Sequence, residues 1–235
     1  KEINNFNIER RSVDRIITSE AMRMISEDQS NTNAKTTVLY NPAWKKGVIG
    51  IVASRLIETY YRPTVILTES NGFATGSARS VQGYDLYQAI EACSDLLESF
   101  GGHMFAAGLT LKKENIKPFI ERFEQYVNNT ITEDQLVPRV FVDTELSFSE
   151  INEEFFRVMS QFQPFGPENM SPLFVSRNVF DTGSGRMVGS NGEHLKLDLC
   201  QESSATKSVP AIGFNLANNF EYIKSRNTFD ICYSI

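Results

Sequence analysis

Strand-like and helix-like stretches alternate along the first 127 residues and then cease to alternate. That change of rhythm limits the fold more than any single motif. The chain opens with a helical pattern over Phe6–Ser26, in which Ile8, Val13, Ile16, Ile17, Met22 and Ile25 supply the apolar stripe and Arg10, Arg11, Arg15 and Arg23 lie elsewhere. A β-branched strand, Thr36–Tyr40, ends at Pro42. After Gly47, Val48, Val52 and Leu56 fall on one helical face, and Pro63 closes that helix before a strand at Thr64–Thr68. An Asn71-Gly72 turn leads to a strand over Gly72–Ser80, and Tyr84–Ser99 reads as a helix. A strand at Leu109–Leu111 and a helix at Asn115–Val127 complete the pattern of an α/β domain whose sheet is covered by helices.

The polar segment Asn128–Pro138 reads as a boundary. Beyond it the spacing predicts strands at Arg139–Thr144, Leu173–Asp181, His194–Cys200, Val209–Phe214 and Thr228–Tyr233, with a helix at Glu150–Gln161. Five short strands with glycine-rich turns predict a small β-barrel of the OB-fold type. The expected organisation is therefore a linker helix over 1–30, an α/β domain over 31–130 and a barrel over 136–235, the last expected to be cut short.

Charge and cysteine usage narrow the classes. The formal charge of -6 argues against a protein that coats polyanions non-specifically, yet residues 29–68 carry Lys35, Lys45, Lys46, Arg55 and Arg62 against Glu58 alone. No stretch has the length and apolarity of a membrane span, and the first thirty residues do not read as a secretory signal. Cys93, Cys200 and Cys232 match no metal-ligand spacing, so they read as free thiols of a cytoplasmic protein.

Three constellations carry chemical interest. In GSARS (Gly76–Ser80), Arg79 has a guanidinium that can fork onto phosphate oxygens, with Ser77 and Ser80 as short donors; the competing reading is a surface turn with one exposed arginine. In GGHMFAAG, Gly101 and Gly102 let backbone N–H groups approach a ligand, a helix is expected to begin there, and His103 can donate to an anion or cap a helix. In WKKG, Trp44 either stacks on a base or covers a domain edge, and Lys45 and Lys46 are placed to meet a phosphate backbone. His194 falls on an expected strand, and Phe165, between prolines in QPFGPEN, reads as an anchor between domains. Neither histidine has a carboxylate at useful spacing, and no P-loop, dinucleotide fingerprint or nucleophile elbow occurs, so no catalytic residue and no metal ligand is assigned in this chain.

Together these stretches resemble the RecJ family of 5′-to-3′ single-stranded-DNA exonucleases, members of the DHH/DHHA1 phosphoesterases. The matching pieces are NIERR (Asn7–Arg11), WKKGVIGIVASRL (Trp44–Leu56), RPTVIL (Arg62–Leu67), GSARSVQGYDL (Gly76–Leu86), GGHMFAAGLTL (Gly101–Leu111) and QPFGPENMSPLF (Gln163–Phe174). HLKLDL (His194–Leu199) and AIGF (Ala211–Phe214) fit the family's OB-fold. The resemblance implies a DHHA1-like domain gripping substrate through Arg79, Ser80, Gly101, Gly102 and His103, with Trp44, Lys45, Lys46 and Ser77 as further DNA contacts. It also implies manganese or magnesium held by a DHH domain. No DHH triplet occurs here, so the chain is expected to be part of a longer enzyme, inactive alone and binding no cofactor itself. The implied partners are single-stranded DNA, the DHH domain in cis, and a single-stranded-DNA-binding protein or helicase. Two departures stand out: Lys45 replaces the family's usual histidine, and Met170 follows Asn169 where family loops often have proline. The alternatives are a noncatalytic RNA- or tRNA-binding DHHA1-type module and a fragment of an oligonucleotide or cyclic-dinucleotide phosphodiesterase.

Overall fold

A computed structural model describes residues 2–27, 34–201 and 207–235, and divides the chain into two compact units, Lys1–Arg139 and Val140–Ile235. Residues 28–33, where the expected linker helix gives way to the expected α/β domain, lie outside the described residues.

The first unit begins with α1 (Glu2–Glu27). Ile17, Ala21 and Ile25, four residues apart, are buried, and Val13, Met22 and Met24 pack beside them. Ile8 and Ile16, counted in the expected stripe, are exposed instead. Strand β1 (Thr37–Tyr40) pairs in parallel with β2 (Thr64–Ser70), and the crossover that parallel pairing requires is α2 (Ile49–Tyr60). The chain then turns through β3 (Phe73–Arg79), α3 (Leu86–Glu91), β4 (Leu97–His103), β5 (Ala106–Leu111) and α4 (Ile116–Thr130). The sheet order is β1-β2-β3-β5-β4, and every pairing after the first is antiparallel.

One face of this sheet packs Val65, Leu67, Ala78, Leu109 and Leu111 against α3 and α4. Helix α4 contributes Phe119, Phe123 and Val127, all fully buried, and the two rings stack at 5.6 Å. Burial of side chains of this kind stabilises by roughly 1.5–3 kcal/mol each. The opposite face packs Leu39 and Ile66 against α2 and α1. Asp14 of α1 is 1 % exposed and is held by Arg55 of α2 at 2.7 Å.

Two expectations fail here. The helix expected over Tyr84–Ser99 ends at Glu91, and the helix start expected at Gly101–His103 is the end of strand β4. The reason is tertiary: β4 finds backbone partners along β5 from Leu97 to His103, which outweighs the helical pattern of the preceding residues.

The second unit contains β6 (Thr144–Glu145), α5 (Glu153–Ser160), β7 (Phe174–Asp181), β8 (Arg186–Val188), β9 (His194–Gln201), β10 (Val209–Gly213), α6 (Phe220–Lys224) and β11 (Phe229–Tyr233). Its main path runs β10-β9-β7-β11, with β6 beside β7 and β8 beside β9. The expected OB-type barrel is overturned, because among the described residues the sheet is not closed. Strand β10 pairs only with β9, and β11 only with β7. The strand expected over Arg139–Thr144 shrinks to the two residues of β6, too short to bridge the ends. The inner face is covered instead by Leu146, Phe148, Ile151 and Ile223, with Phe155 and Met159 of α5 beside them. A cavity of about 410 Å³, lined by Leu195, Leu197, Tyr222 and Ile231 among others, remains beside β10 and β11.

Candidate functional site

The face of the first sheet that carries Ile66 changes character from one edge to the other. Under α2 it is buried, with Leu39 and Ile66 flanked by Thr37, Thr64 and Thr68. Across β3, β5 and β4 the same face presents three cross-strand rows without a large apolar side chain: Thr75–Thr110–Ser99, Ser77–Gly108–Gly101 and Arg79–Ala106–His103. Directly paired residues share a face, so each row is one line of neighbours. Gly101, His103 and Gly108 are exposed, whereas Thr75, Ser77, Arg79 and Ala106 are half-buried. No core requirement accounts for the small side chains. A Cβ at Gly101 would meet nothing within 4 Å, and one at Gly108 would first meet a backbone oxygen at 3.9 Å.

Gly102 is different. A Cβ there would run into the Ala106 carbonyl and lie 2.6 Å from Ala107 Cα, so glycine is demanded by the close approach of β5.

Arg79 ends β3 beside the first turn of α2. Its Nη1 donates to Ser77 Oγ at 3.0 Å and to the Ala78 carbonyl at 2.9 Å. No carboxylate among the described residues pairs with it, so a half-buried guanidinium faces only neutral acceptors. Charges removed from water are ordinarily paired, which makes this arginine ready for an anion. Gly50, in the first turn of α2, makes room for it: a Cβ at Gly50 would lie 2.8 Å from Arg79 Nη2 and 3.0 Å from Ser77 Oγ. That helix start has no side-chain cap and no acidic residue in its first turn, so the positive end of its dipole adds to the same region.

His103 accepts the Phe105 N–H on Nδ1 at 3.3 Å, which puts the neutral ring's proton on Nε2 as a donor. Ser80 is committed to its turn, its hydroxyl donating to the Tyr84 carbonyl at 2.7 Å and its N–H to the Phe105 carbonyl at 3.0 Å. Lys45 and Lys46 are exposed just before α2, with Lys45 3.7 Å from Glu9. Trp44 is 4 % exposed and donates Nε1–H to Glu20 at 2.9 Å, so it sits in the core between α1 and α2 and offers no ring face to a base.

The structure thus brings Ser77, Arg79, Gly101 and His103 to one surface and leaves Trp44 out of it. Sequence reasoning passed over Gly50 and Phe105, and read Gly108 only as one of the small residues, with Ala106 and Ala107, that keep its segment thin. The signal for Gly50 was available, since a glycine inside a helical pattern marks a close approach. In the second unit, His194 lies on β9 as expected, and its Nδ1 accepts the Asn215 N–H at 3.1 Å. The PFGPEN loop is held by Asn169, whose amide donates to the Phe162 and Pro164 carbonyls at 2.8 and 3.0 Å.

No group of three or more His, Cys, Asp or Glu side chains able to hold a metal occurs among the described residues. No helix among them is long and apolar enough to cross a membrane.

Comparison with known proteins finds relatives for both units of the chain. The DHHA1 domain family matches residues 33–129 and the RecJ OB domain family residues 142–235. The single-stranded-DNA-specific exonuclease RecJ of Bacillus subtilis (strain 168) is 35% identical over 216 residues, 91% of this chain and 27% of that protein. RecJ of Salmonella typhimurium (strain LT2) is 31% identical over 222 residues, 92% of this chain and 38% of that protein. The crystal structure of RecJ from Thermus thermophilus in complex with Mg2+ superposes with a TM-score of 0.71 at 26% identity, covering 91% of this chain and 31% of that one. Its Mn2+ complex gives 0.70 at 27%, over 89% and 29%. The chain therefore spans between a quarter and two fifths of these relatives' length, and over that span it belongs to the RecJ family, homologous to its DHHA1 and OB domains.

Proposed function

We propose that this chain is the nucleic-acid-gripping portion of a single-stranded-DNA-specific exonuclease, and that its first unit holds the phosphate backbone on the open half of the sheet. The observation that carries this reading is Arg79, a half-buried cation with no carboxylate partner among the described residues, in one row with His103 above a floor of glycine and alanine. Arg79 supplies a permanent charge and a fork of N–H donors, Ser77 orients that fork, and His103 Nε2–H donates from the far side of the row. Gly101 and Gly108 leave the backbone open to close approach.

Among the described residues no cluster of His, Cys, Asp or Glu fits a metal site, and the part proposed for this chain is to bind and orient the strand. RecJ of Thermus thermophilus is seen in complex with Mg2+ and with Mn2+, and in this reading such metals would be held by a DHH domain of a longer polypeptide. The chain alone is then inactive, and the whole enzyme hydrolyses phosphodiester bonds 5′ to 3′ in the cytoplasm with Mn2+ or Mg2+. A single-stranded-DNA-binding protein or a helicase is the proposed protein partner. Residues 31–130 act as the DHHA1-like grip and residues 136–235 extend the contact along the strand.

Fluorescence anisotropy with a labelled oligodeoxynucleotide tests the reading. The chain should bind single strands in preference to duplex, with affinity falling as salt rises. Arg79→Ala should weaken binding by roughly ten-fold or more, the scale of a desolvated charged contact. An unchanged affinity in a folded Arg79→Ala protein would remove the site. Stronger competition by RNA than by DNA of the same sequence would favour the noncatalytic RNA-binding module.

A further inference from the structure

The turn between β4 and β5 consists of two residues, Met104 and Phe105, and both side chains face solvent, at 39 % and 52 % exposure. An exposed tip of a hairpin is ordinarily polar. This tip is also held unusually firmly. The Met104 carbonyl accepts the Leu86 N–H at 3.1 Å, the Phe105 carbonyl accepts the Ser80 N–H at 3.0 Å, and the Phe105 N–H donates to His103 Nδ1 at 3.3 Å. Three backbone anchors thus fix the tip while both side chains stay outside the core. The Phe105 ring meets His103 edge-on, with centroids 6.0 Å apart, and leaves most of its surface to water. Leaving such a side chain exposed forgoes the stabilisation of burying it, so the fold gains little from an aromatic here.

We infer that Phe105 is a stacking platform for a nucleobase, seated beside the phosphate that Arg79 and His103 hold. The inference rests on the phosphate-grip reading, and it adds what that reading lacks: a contact to the base. Three features favour a nucleobase over an apolar protein surface. The ring is one residue from Ala106, the residue that Arg79 and His103 flank in their row. Its carbonyl is bonded to the residue that follows Arg79, so ring and guanidinium are tied to the same short stretch of backbone. The neighbouring face is polar and cationic, which suits the backbone of a nucleotide and not an apolar partner. A phenyl face stacks on every base, so the platform confers preference for unpaired bases without a sequence code.

The test uses the 235-residue chain, a labelled oligothymidylate and an abasic strand of the same length, with thermal melting as the folding control. Phe105→Ala should lower affinity for oligothymidylate by about ten-fold, the scale of one lost stacking contact, and leave the abasic strand unaffected. Phe105→Trp should restore binding. Its indole should also be quenched by oligothymidylate and not by the abasic strand, a signal readable because the chain's one tryptophan, Trp44, is buried. Arg79→Ala should weaken both strands alike. Equal loss on both strands in Phe105→Ala, no loss on either, or an unquenched tryptophan at 105 would overturn the platform. If Phe105→Ala discriminates between the strands while Arg79→Ala changes neither, the platform stands and the phosphate reading fails.

Discussion

Arg79 and His103 flank Ala106 in a single cross-strand row, two strands apart, although 24 residues separate them in the chain. Adjacent strands lie about 4.8 Å apart, so the two α-carbons are on the order of 10 Å from one another. That span admits one phosphate group between the two side chains. In the whole enzyme, Arg79→Ala and His103→Ala should each lower turnover by roughly ten-fold or more. The double mutant should lose less than the product of the two effects, as the proposal that both contacts serve one anion requires. Strictly multiplicative losses in a double-mutant cycle on strand hydrolysis would separate the two residues.

The adjacent glycines should respond oppositely to the same change. Gly102→Ala drives a methyl group into β5 and should destabilise the first unit by about 2 kcal/mol or more, measured by urea unfolding. Gly101→Val adds a side chain to open space, so it should leave stability nearly unchanged and weaken oligonucleotide binding. Loss of binding only in Gly102→Ala would make the floor structural.

The tie between α1 and α2 should prove stabilising. Asp14 is buried against Arg55, and removing the guanidinium strands a carboxylate in the core. Arg55→Met should cost about 2 kcal/mol, below the range for fully buried pairs because Arg55 remains about one third exposed. Asp14→Asn combined with Arg55→Met should recover part of that loss.

Cys93 sets an alkaline limit. Burial pushes its thiol up to about 11, with the Arg122 charge acting weakly in the other direction. The unfolded chain releases this proton at lower pH than the folded one, so the unfolded state binds fewer protons in the interval between them. Stability therefore falls as pH rises from about 9 to about 11. Cys93→Ala should flatten that part of a urea-denaturation profile against pH. At about pH 8 a thiol reagent should label exposed Cys232 rapidly and reach Cys93 only on unfolding.

In the second unit Arg186 and Lys196 are direct cross-strand partners, and neither forms an ion pair among the described residues. Like charges in that position are destabilising, which suits a surface awaiting a polyanion. Phe214 is 70 % exposed and in edge contact, at 5.3 Å, with His194, two residues before Lys196 on β9. Lys196→Glu should raise the melting temperature slightly and weaken binding of a long oligonucleotide more than of a dinucleotide. Equal effects on the two lengths would assign the patch no part in extended binding.

Much of the local structure was legible before any coordinates. The strands starting at Thr37, Thr64 and Val209 and the helices starting at Ile49 and Ile116 follow from periodicity and from Pro42, Pro63 and the Asn71-Gly72 turn, which act through φ and hydrogen bonding within a few residues. The RecJ resemblance was legible for the same reason, since short motifs survive as strings. Strand β4 was not, because Leu97–His103 becomes a strand only by pairing with β5, a non-local contact that the helical pattern before it cannot report. Closure of the second sheet was equally out of reach: it depends on whether β10 and β11 meet, and five strand-like segments are compatible with an open or a closed arrangement. The place of Trp44 turned on Glu20 and α1, a partner 24 residues away. The sequence alone determined which residues could grip an anion. Only the sheet register decided that Ser77, Arg79, Gly101 and His103 share an uncovered face, because side-chain direction alternates along a strand and one residue of slip would have turned them into the core.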